Sequence, residues 1–205
     1  MSSTVTPRPA EEARVSRRKP ESLAKIRKAA RRLFVERGYH ATRPQDIARE
    51  AGLGHGTFYL HFPDKKACFL AFVEEARGEL DAFVRARVAD HTSLEELIAG
   101  TLHAIYDYTE SHPGVLSAAM TDEVVIDAEG AQAVPLLQRW GADWAAVIRA
   151  AAAHDGVSGV FDADIVGQAI VGAIHQAAAE GHRMGRSSQS IVTNLTRFLV
   201  RALRP

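Results

Sequence analysis

Gly52-Leu53-Gly54-His55-Gly56-Thr57-Phe58-Tyr59-Leu60-His61-Phe62 decides the reading of this chain. Just before it, Thr42-Arg43-Pro44-Gln45-Asp46-Ile47-Ala48-Arg49-Glu50-Ala51 spells a short helix with marked ends. Thr42 is placed to cap it, Gln45 three residues on completes a capping box, and Pro44 in the first turn gives up no hydrogen bond. Gly52 stands where a left-handed residue stops the helix. A second short helix is expected from about His55 to Phe62. Two short helices joined by a tight Gly-containing turn form a helix-turn-helix, whose second helix enters the DNA major groove. Phe58 and Phe62, four apart, should face inward with Ile47, Ala48 and Leu53. His55, Thr57, Tyr59, Leu60 and His61 are then left for the groove.

Working outward, a helix from about Glu21 to Arg37 carries Leu23, Ile26, Ala30, Leu33 and Phe34 on one face, and Gly38 ends it. Residues 1–20 are rich in Ser, Thr, Pro and charge and bear Arg8, Arg14, Arg17, Arg18 and Lys19. They read as a disordered basic arm, either lying along phosphates or in a minor groove, or merely solvated. Downstream, Phe69, Val73, Ala76, Leu80, Phe83, Val84 and Val88 mark a helix from Pro63 to about Ala89, roughly 40 Å long. It is the candidate connecting rod. Ser93 and Glu96 then form a capping box for a helix stopping near His112-Pro113. Further helices are expected over Pro113 to about Val125, Ala131–His154, Asp162–Glu180 and Ser188–Leu203, with Asp155–Gly159 as a turn. No strand alternation or internal repeat is present. The fold class is all-α, with about nine helices: a helix-turn-helix head over 21–66 on a helical body over 67–205.

The formal net charge is zero, yet up to Lys66 there are fifteen Lys+Arg against seven Asp+Glu, and beyond it ten against eighteen. A head of about +8 attracts phosphates and a body of about −8 is repelled by them. Cys68 is the only cysteine, which excludes an internal disulfide and a Cys-based zinc site. It reads as a small core residue in a reducing, cytoplasmic setting. The N-terminus lacks a signal peptide's apolar run, and no stretch approaches the ~20 apolar residues that span a bilayer.

Arg37-Gly38-Tyr39, Thr42, Asp46-Ile47-Ala48, Ala51-Gly52-Leu53, Gly56-Thr57-Phe58-Tyr59, His61-Phe62 and Lys65 together resemble the DNA-binding domain of the TetR (tetracycline-repressor-like) transcriptional regulators. The resemblance covers about the first third of the chain. It implies an all-helical homodimer that binds a palindromic operator and is released by a small molecule in its C-terminal domain. It also implies that Thr42, Tyr59, His61 and Lys65 grip the DNA backbone. From their own chemistry Thr57, Tyr59, His61 and Lys65 can donate to phosphates, fixing register without reading bases. His55 can donate to a guanine edge, Leu60 can touch a thymine methyl, and Arg43 suits a bidentate guanine contact. With Gln45 at the start of the preceding helix, these residues form the candidate DNA-binding set. Gly54 stands where many family members carry Ser, and that weakens the cap by only a few tenths of a kcal/mol.

In the body, Tyr106, Met120, Trp140 and Trp144, with His103 and His175, could line an apolar ligand pocket, although core packing accounts for the same stripe. His103 and Asp107 share a helix face, but no further metal ligands are spaced to join them. No metal or cofactor is expected. Ile165, Ala169, Ala173, Ala177, Leu195, Phe198 and Leu199 on the last two helices either form a four-helix dimer interface or close the monomer's own core. The leading reading is a DNA-binding repressor, dimeric and released by a small, largely apolar effector. A constitutive or architectural DNA-binding protein is the alternative. A helical-bundle enzyme is disfavoured, because no nucleophile motif, phosphate loop or metal set appears.

Overall fold

The computed structural model describes residues 9–120, 136–154 and 161–203, the side chains of 9–18 and 153–154 excepted. The chain divides into two compact units, Met1–Phe72 and Val73–Pro205. Among the described residues every regular element is helical. No helix among them is long and apolar enough to cross a membrane.

In the first unit, α1 (Pro9–Ala41) buries Ile26, Ala30, Leu33 and Phe34. It is broken at Gly38, where φ is 77° and ψ 170°, a left-handed excursion that a Cβ would strain. The chain turns back there, and the Tyr39 ring comes to 6.3 Å from that of Phe34. At its other end α1 starts at Pro9 rather than near Glu21. Residues 10–14, Ala-Glu-Glu-Ala-Arg, are strong helix formers, a local preference that the composition of the whole tract conceals. Pro20 lies inside the helix and leaves one carbonyl without its backbone donor. Residues 1–8 of the basic arm, Arg8 included, lie outside the described residues.

α2 (Pro44–Glu50) and α3 (His55–Tyr59) follow. The expected Thr42–Gln45 capping box does not form. Arg43 is the N-cap residue, and it caps with no side-chain hydrogen bond. Thr42 is 0% exposed, and its hydroxyl turns back to the carbonyls of Gly38 (2.8 Å) and Leu33 (3.2 Å). Breaking α1 at Gly38 strips its last carbonyls of helical donors, and the nearest buried hydroxyl satisfies them instead. The stop at Gly52 is as expected, at φ 66°. The Gly52 N–H donates to the Arg49 carbonyl (3.0 Å) and the Leu53 N–H to that of Ala48 (2.9 Å), a Schellman ending.

α4 (Lys65–Val88) begins two residues later than expected. The Asp64 carboxylate accepts the Ala67 N–H at 2.7 Å and acts as the cap, so Pro63 stands outside the helix. The unit boundary falls inside α4, at Phe72 rather than Lys66. Phe69 packs edge-on to Phe34 at 5.0 Å and contacts Tyr39 at 5.1 Å, and Phe72 also meets Phe34. The first two turns of α4 therefore complete the head's core.

The second unit holds the rest of α4, α5 (Leu94–Ser111), a helical segment at 115–120, α6 (Leu136–His154), α7 (Ala163–Arg183) and α8 (Ser188–Leu203). The Ser93–Glu96 capping box is present in both directions. Asp162 caps α7 by accepting from the N–H groups of Asp164 and Ile165. Ile98 and Leu102 of α5, Trp144 and Ile148 of α6, Ile174 of α7 and Leu195 of α8 belong to one apolar cluster. Full burial of such side chains is worth about 1.5–3 kcal/mol each. α6 and α7 approach closely at two glycines, where a Cβ on Gly167 would lie 2.2 Å from the Gly141 carbonyl oxygen. The expected start of α6 at Ala131 with Pro135, the end of the preceding helix near Val125 and the Asp155–Gly159 turn lie outside the described residues, in whole or in part.

Candidate nucleic-acid interface

α3 is a five-residue helix, not the eight expected, because the chain leaves helical geometry at its C-cap Leu60. There the N–H groups of His61 and Phe62 both donate to the Phe58 carbonyl at 3.0 Å. Phe58 is fully buried and its ring lies 5.9 Å from that of Phe62. This inward anchor fixes the rotation of α3 and so decides which residues face out. Tyr59 (50% exposed), Leu60 (69%), His55, Gly54 and Gly56 lie on the outer side, and the His55 ring meets the edge of Tyr59 at 5.3 Å. Arg43 and Gln45 at the start of α2 are exposed too, while Thr57 is half-buried. A Cβ added at Gly54 or Gly56 would come no closer than 4.0 Å to a packed neighbour, so this edge of α3 is open to close approach.

Three members of the expected contact set have other engagements. Thr42 is buried and its hydroxyl is used inside the head, which takes it out of reach of phosphate. The Lys65 ammonium donates to the Tyr39 carbonyl at 2.8 Å and lies 4.0 Å from the centre of the Tyr39 ring. It is thus a brace of the head as well as a positive charge beside it. His61 is half-buried, and its Nε2 is 2.7 Å from the Ser22 hydroxyl on α1. The Ser22 proton points to the Lys19 carbonyl at 3.0 Å, so His61 Nε2–H is the donor between the two. A neutral His61 then presents only an acceptor at Nδ1, and donating to a phosphate requires the imidazolium. Sequence reasoning missed Ser22 and Tyr39 as partners. They lie 39 and 26 residues away along the chain, and no local pattern encodes such pairings.

The second unit encloses a cavity of about 780 Å³. Tyr106, Met120, Trp140, Trp144 and His175 line it as expected from the sequence, and His103 does not. Leu97, Thr101, Ile105 and Thr109 give the lining face of α5. At 100° per residue His103 sits about 200° from both Thr101 and Ile105, on the far side. Asp107, its supposed metal-binding companion, is bonded by Arg87 there. Leu80, Val84 and Val88 of α4 also line the cavity. Their four-residue spacing marked an apolar face in the sequence without saying that it borders a void.

The supposed interface residues of α7 and α8 separate into two groups. Leu195 and Leu199 are buried in the unit's own core. The stripe Ile191-Leu195-Leu199-Leu203 faces inward as one i, i+4 row, so these leucines are unavailable to a partner. Ile165 (69%), Phe198 (60%) and Ala169 are exposed, with Ala173 and Ala177 half-buried between them.

A buried-anchor α3 following a Gly-stopped α2 on a three-helix core is the architecture of a helix-turn-helix DNA-binding domain. Residues 26–72 match the model of the bacterial regulatory proteins of the tetR family, and the chain belongs to that family. Among relatives, it is 32% identical over 82 residues to the transcriptional activator FasR of Mycolicibacterium smegmatis, covering 40% of this chain and 37% of FasR. The chain spans less than half the length of the curated relatives it matches. Two solved structures share the whole fold. One is the fatty acid degradation regulator FadR from Bacillus halodurans, with a TM-score of 0.71 at 17% identity over 86% of this chain and 93% of that one. The other is a gamma-butyrolactone receptor, with a TM-score of 0.67 at 23% identity over 92% and 90%.

Proposed function

We propose that this chain is a dimeric transcriptional repressor that binds a palindromic operator and is released by a small, largely apolar ligand. The observation that carries the proposal is the outward face of α3, where His55, Tyr59 and Leu60 are exposed on a helix pinned from behind by Phe58. An aromatic and an aliphatic side chain held in water beside two glycines have no folding role that explains them, whereas a groove surface uses both. The excess of Lys and Arg up to Lys66 supplies the sequence-independent attraction.

Dimerisation through the exposed Ile165, Ala169 and Phe198 surface would set two α3 helices about 34–36 Å apart, one turn of DNA. The effector site is the cavity of the second unit, a reading supported by the gamma-butyrolactone receptor that shares the fold. α4 belongs to both units: Phe69 and Phe72 are in the head's core, while Leu80, Val84 and Val88 border the cavity. A ligand that favours one disposition of α4 shifts operator affinity by its difference in binding free energy between the two states.

The test is selection of DNA from a random library by the full-length protein, followed by fluorescence anisotropy on the selected site. An inverted repeat with half-sites one turn apart is expected. Tyr59→Ala should weaken all sequences alike, whereas Arg43→Ala should relax preference at one position by about 1–3 kcal/mol. Recovery of no enriched motif, or equal binding by Tyr59→Ala, would refute the assignment.

A further inference from the structure

The polar content of the cavity specifies more about its occupant than size does. Tyr106 is 3% exposed and lines the cavity, yet its hydroxyl has no hydrogen-bond partner among the described residues. A buried phenol without a partner forfeits the desolvation of its hydroxyl, which is uncommon enough to need a cause. Burial pushes the Tyr106 phenol up to about 12, so it is a neutral group with a proton to give.

The charged residues of the lining are already balanced. Arg77 is 3.7 Å from the Asp81 carboxylate and 3.4 Å from that of Asp143, so two anions share one guanidinium. Arg85 is exposed. Trp140, Leu80, Val84 and Ile174 are typical of the remaining wall, which is apolar. An anionic head group buried here would meet Asp81 and Asp143 without a free cation to offset them, and an unpaired buried charge is strongly disfavoured.

From this juxtaposition we infer that the cavity takes an uncharged, mainly hydrocarbon molecule with one oxygen acceptor of the carbonyl type, which receives the Tyr106 hydroxyl. The inference rests on the reading of the cavity as an effector site and names the chemistry that site selects. Water can serve the same hydroxyl before the ligand enters, and the ligand's carbonyl replaces it.

Trp140 and Trp144 both line the cavity and are the only tryptophans of the chain, so their fluorescence reports occupancy without DNA. The probes are methyl decanoate and decanoate at pH 8, which share a chain and differ in head-group charge. Methyl decanoate should bind the full-length protein about tenfold or more tightly than decanoate. Tyr106→Phe should weaken methyl decanoate by about two- to tenfold, the worth of one neutral hydrogen bond. Asp143→Asn should narrow the gap by strengthening decanoate. Preferential binding of decanoate, equal affinity of Tyr106→Phe for the ester, or binding of neither probe overturns the inference. Failure of the regulatory reading looks different: the ester would fill the cavity and depend on Tyr106, yet leave DNA affinity unchanged.

Discussion

The substitution Thr42→Val separates a residue that builds the head from one that touches DNA. Valine keeps the shape of threonine and removes only the hydroxyl, which in the wild type serves the Gly38 carbonyl at 2.8 Å and the Leu33 carbonyl at 3.2 Å. One intramolecular hydrogen bond is worth about 1 kcal/mol net, and a buried acceptor left without a donor costs about 1–3 kcal/mol. The extra methyl recovers about 0.8 kcal/mol through burial. The head should therefore lose about 1–2 kcal/mol of stability, which corresponds to a factor of about 5–30 in its opening equilibrium. Both tryptophans lie in the second unit, so their fluorescence is blind to this change. Amide hydrogen exchange over 26–72 reads it directly, as exchange accelerated by that factor. At a low temperature where the variant remains folded, its DNA affinity should stay within about twofold of wild type, with the same salt slope. A Thr42→Val variant of unchanged stability but with the salt slope reduced by about one would refute the reasoning. It would mean that the hydroxyl faces phosphate, as the family resemblance implied.

Packing and electrostatics set three other outcomes. Gly167→Ala should destabilise the second unit by about 1–3 kcal/mol in urea unfolding followed by Trp emission. The new Cβ would lie 2.2 Å from the Gly141 carbonyl oxygen and 2.9 Å from the Ala145 nitrogen, and these backbone atoms move only if α6 and α7 separate. Cys68 is buried, and burial pushes its thiol up to about 12. Alkylation by iodoacetamide at pH 8 should be very slow in the native protein and rapid in denaturant; fast native labelling would contradict its placement. Glu74 is held below the usual glutamate range, chiefly by its hydrogen bond from Arg139. Because its folded-state value is depressed, its contribution is present above the ordinary pKa of about 4.3 and lost as pH falls through the folded value. Glu74→Gln should cost less than about 1 kcal/mol at pH 7, since the carboxylate is largely exposed, and nothing once the pH is low enough to protonate it. A Glu74→Gln deficit that persists in strong acid would exclude the ion pair as its cause.

Local chemistry was legible wherever a few neighbouring residues settle the matter. Gly52 stopped α2 because its φ is positive, and Ser93 with Glu96 started α5 because their atoms meet three residues apart. The apolar periods of the helices fixed an all-helical chain, and Phe58 fixed the outward face of α3. The same local logic failed at Thr42, whose spacing to Gln45 suits a capping box. The break at Gly38 presented buried carbonyls to that hydroxyl, and an unmet buried acceptor outweighs an exposed cap.

The partners of His61 and Lys65 are likewise products of the tertiary structure, since Ser22 and Tyr39 reach them only after α1 has folded against α3 and the start of α4. So is the division of the last two helices, where one apolar stripe closes the core and a second, around Ile165 and Phe198, remains in water. Periodicity marks which side chains avoid water, but whether a neighbouring helix, a second subunit or a bound molecule covers them depends on how helices distant in sequence pack. The sequence by itself determined the helices, most of their ends and the character of the head. Only the folded chain decided that His103 turns away from the cavity while Tyr106 is buried at its wall with a hydroxyl left to share.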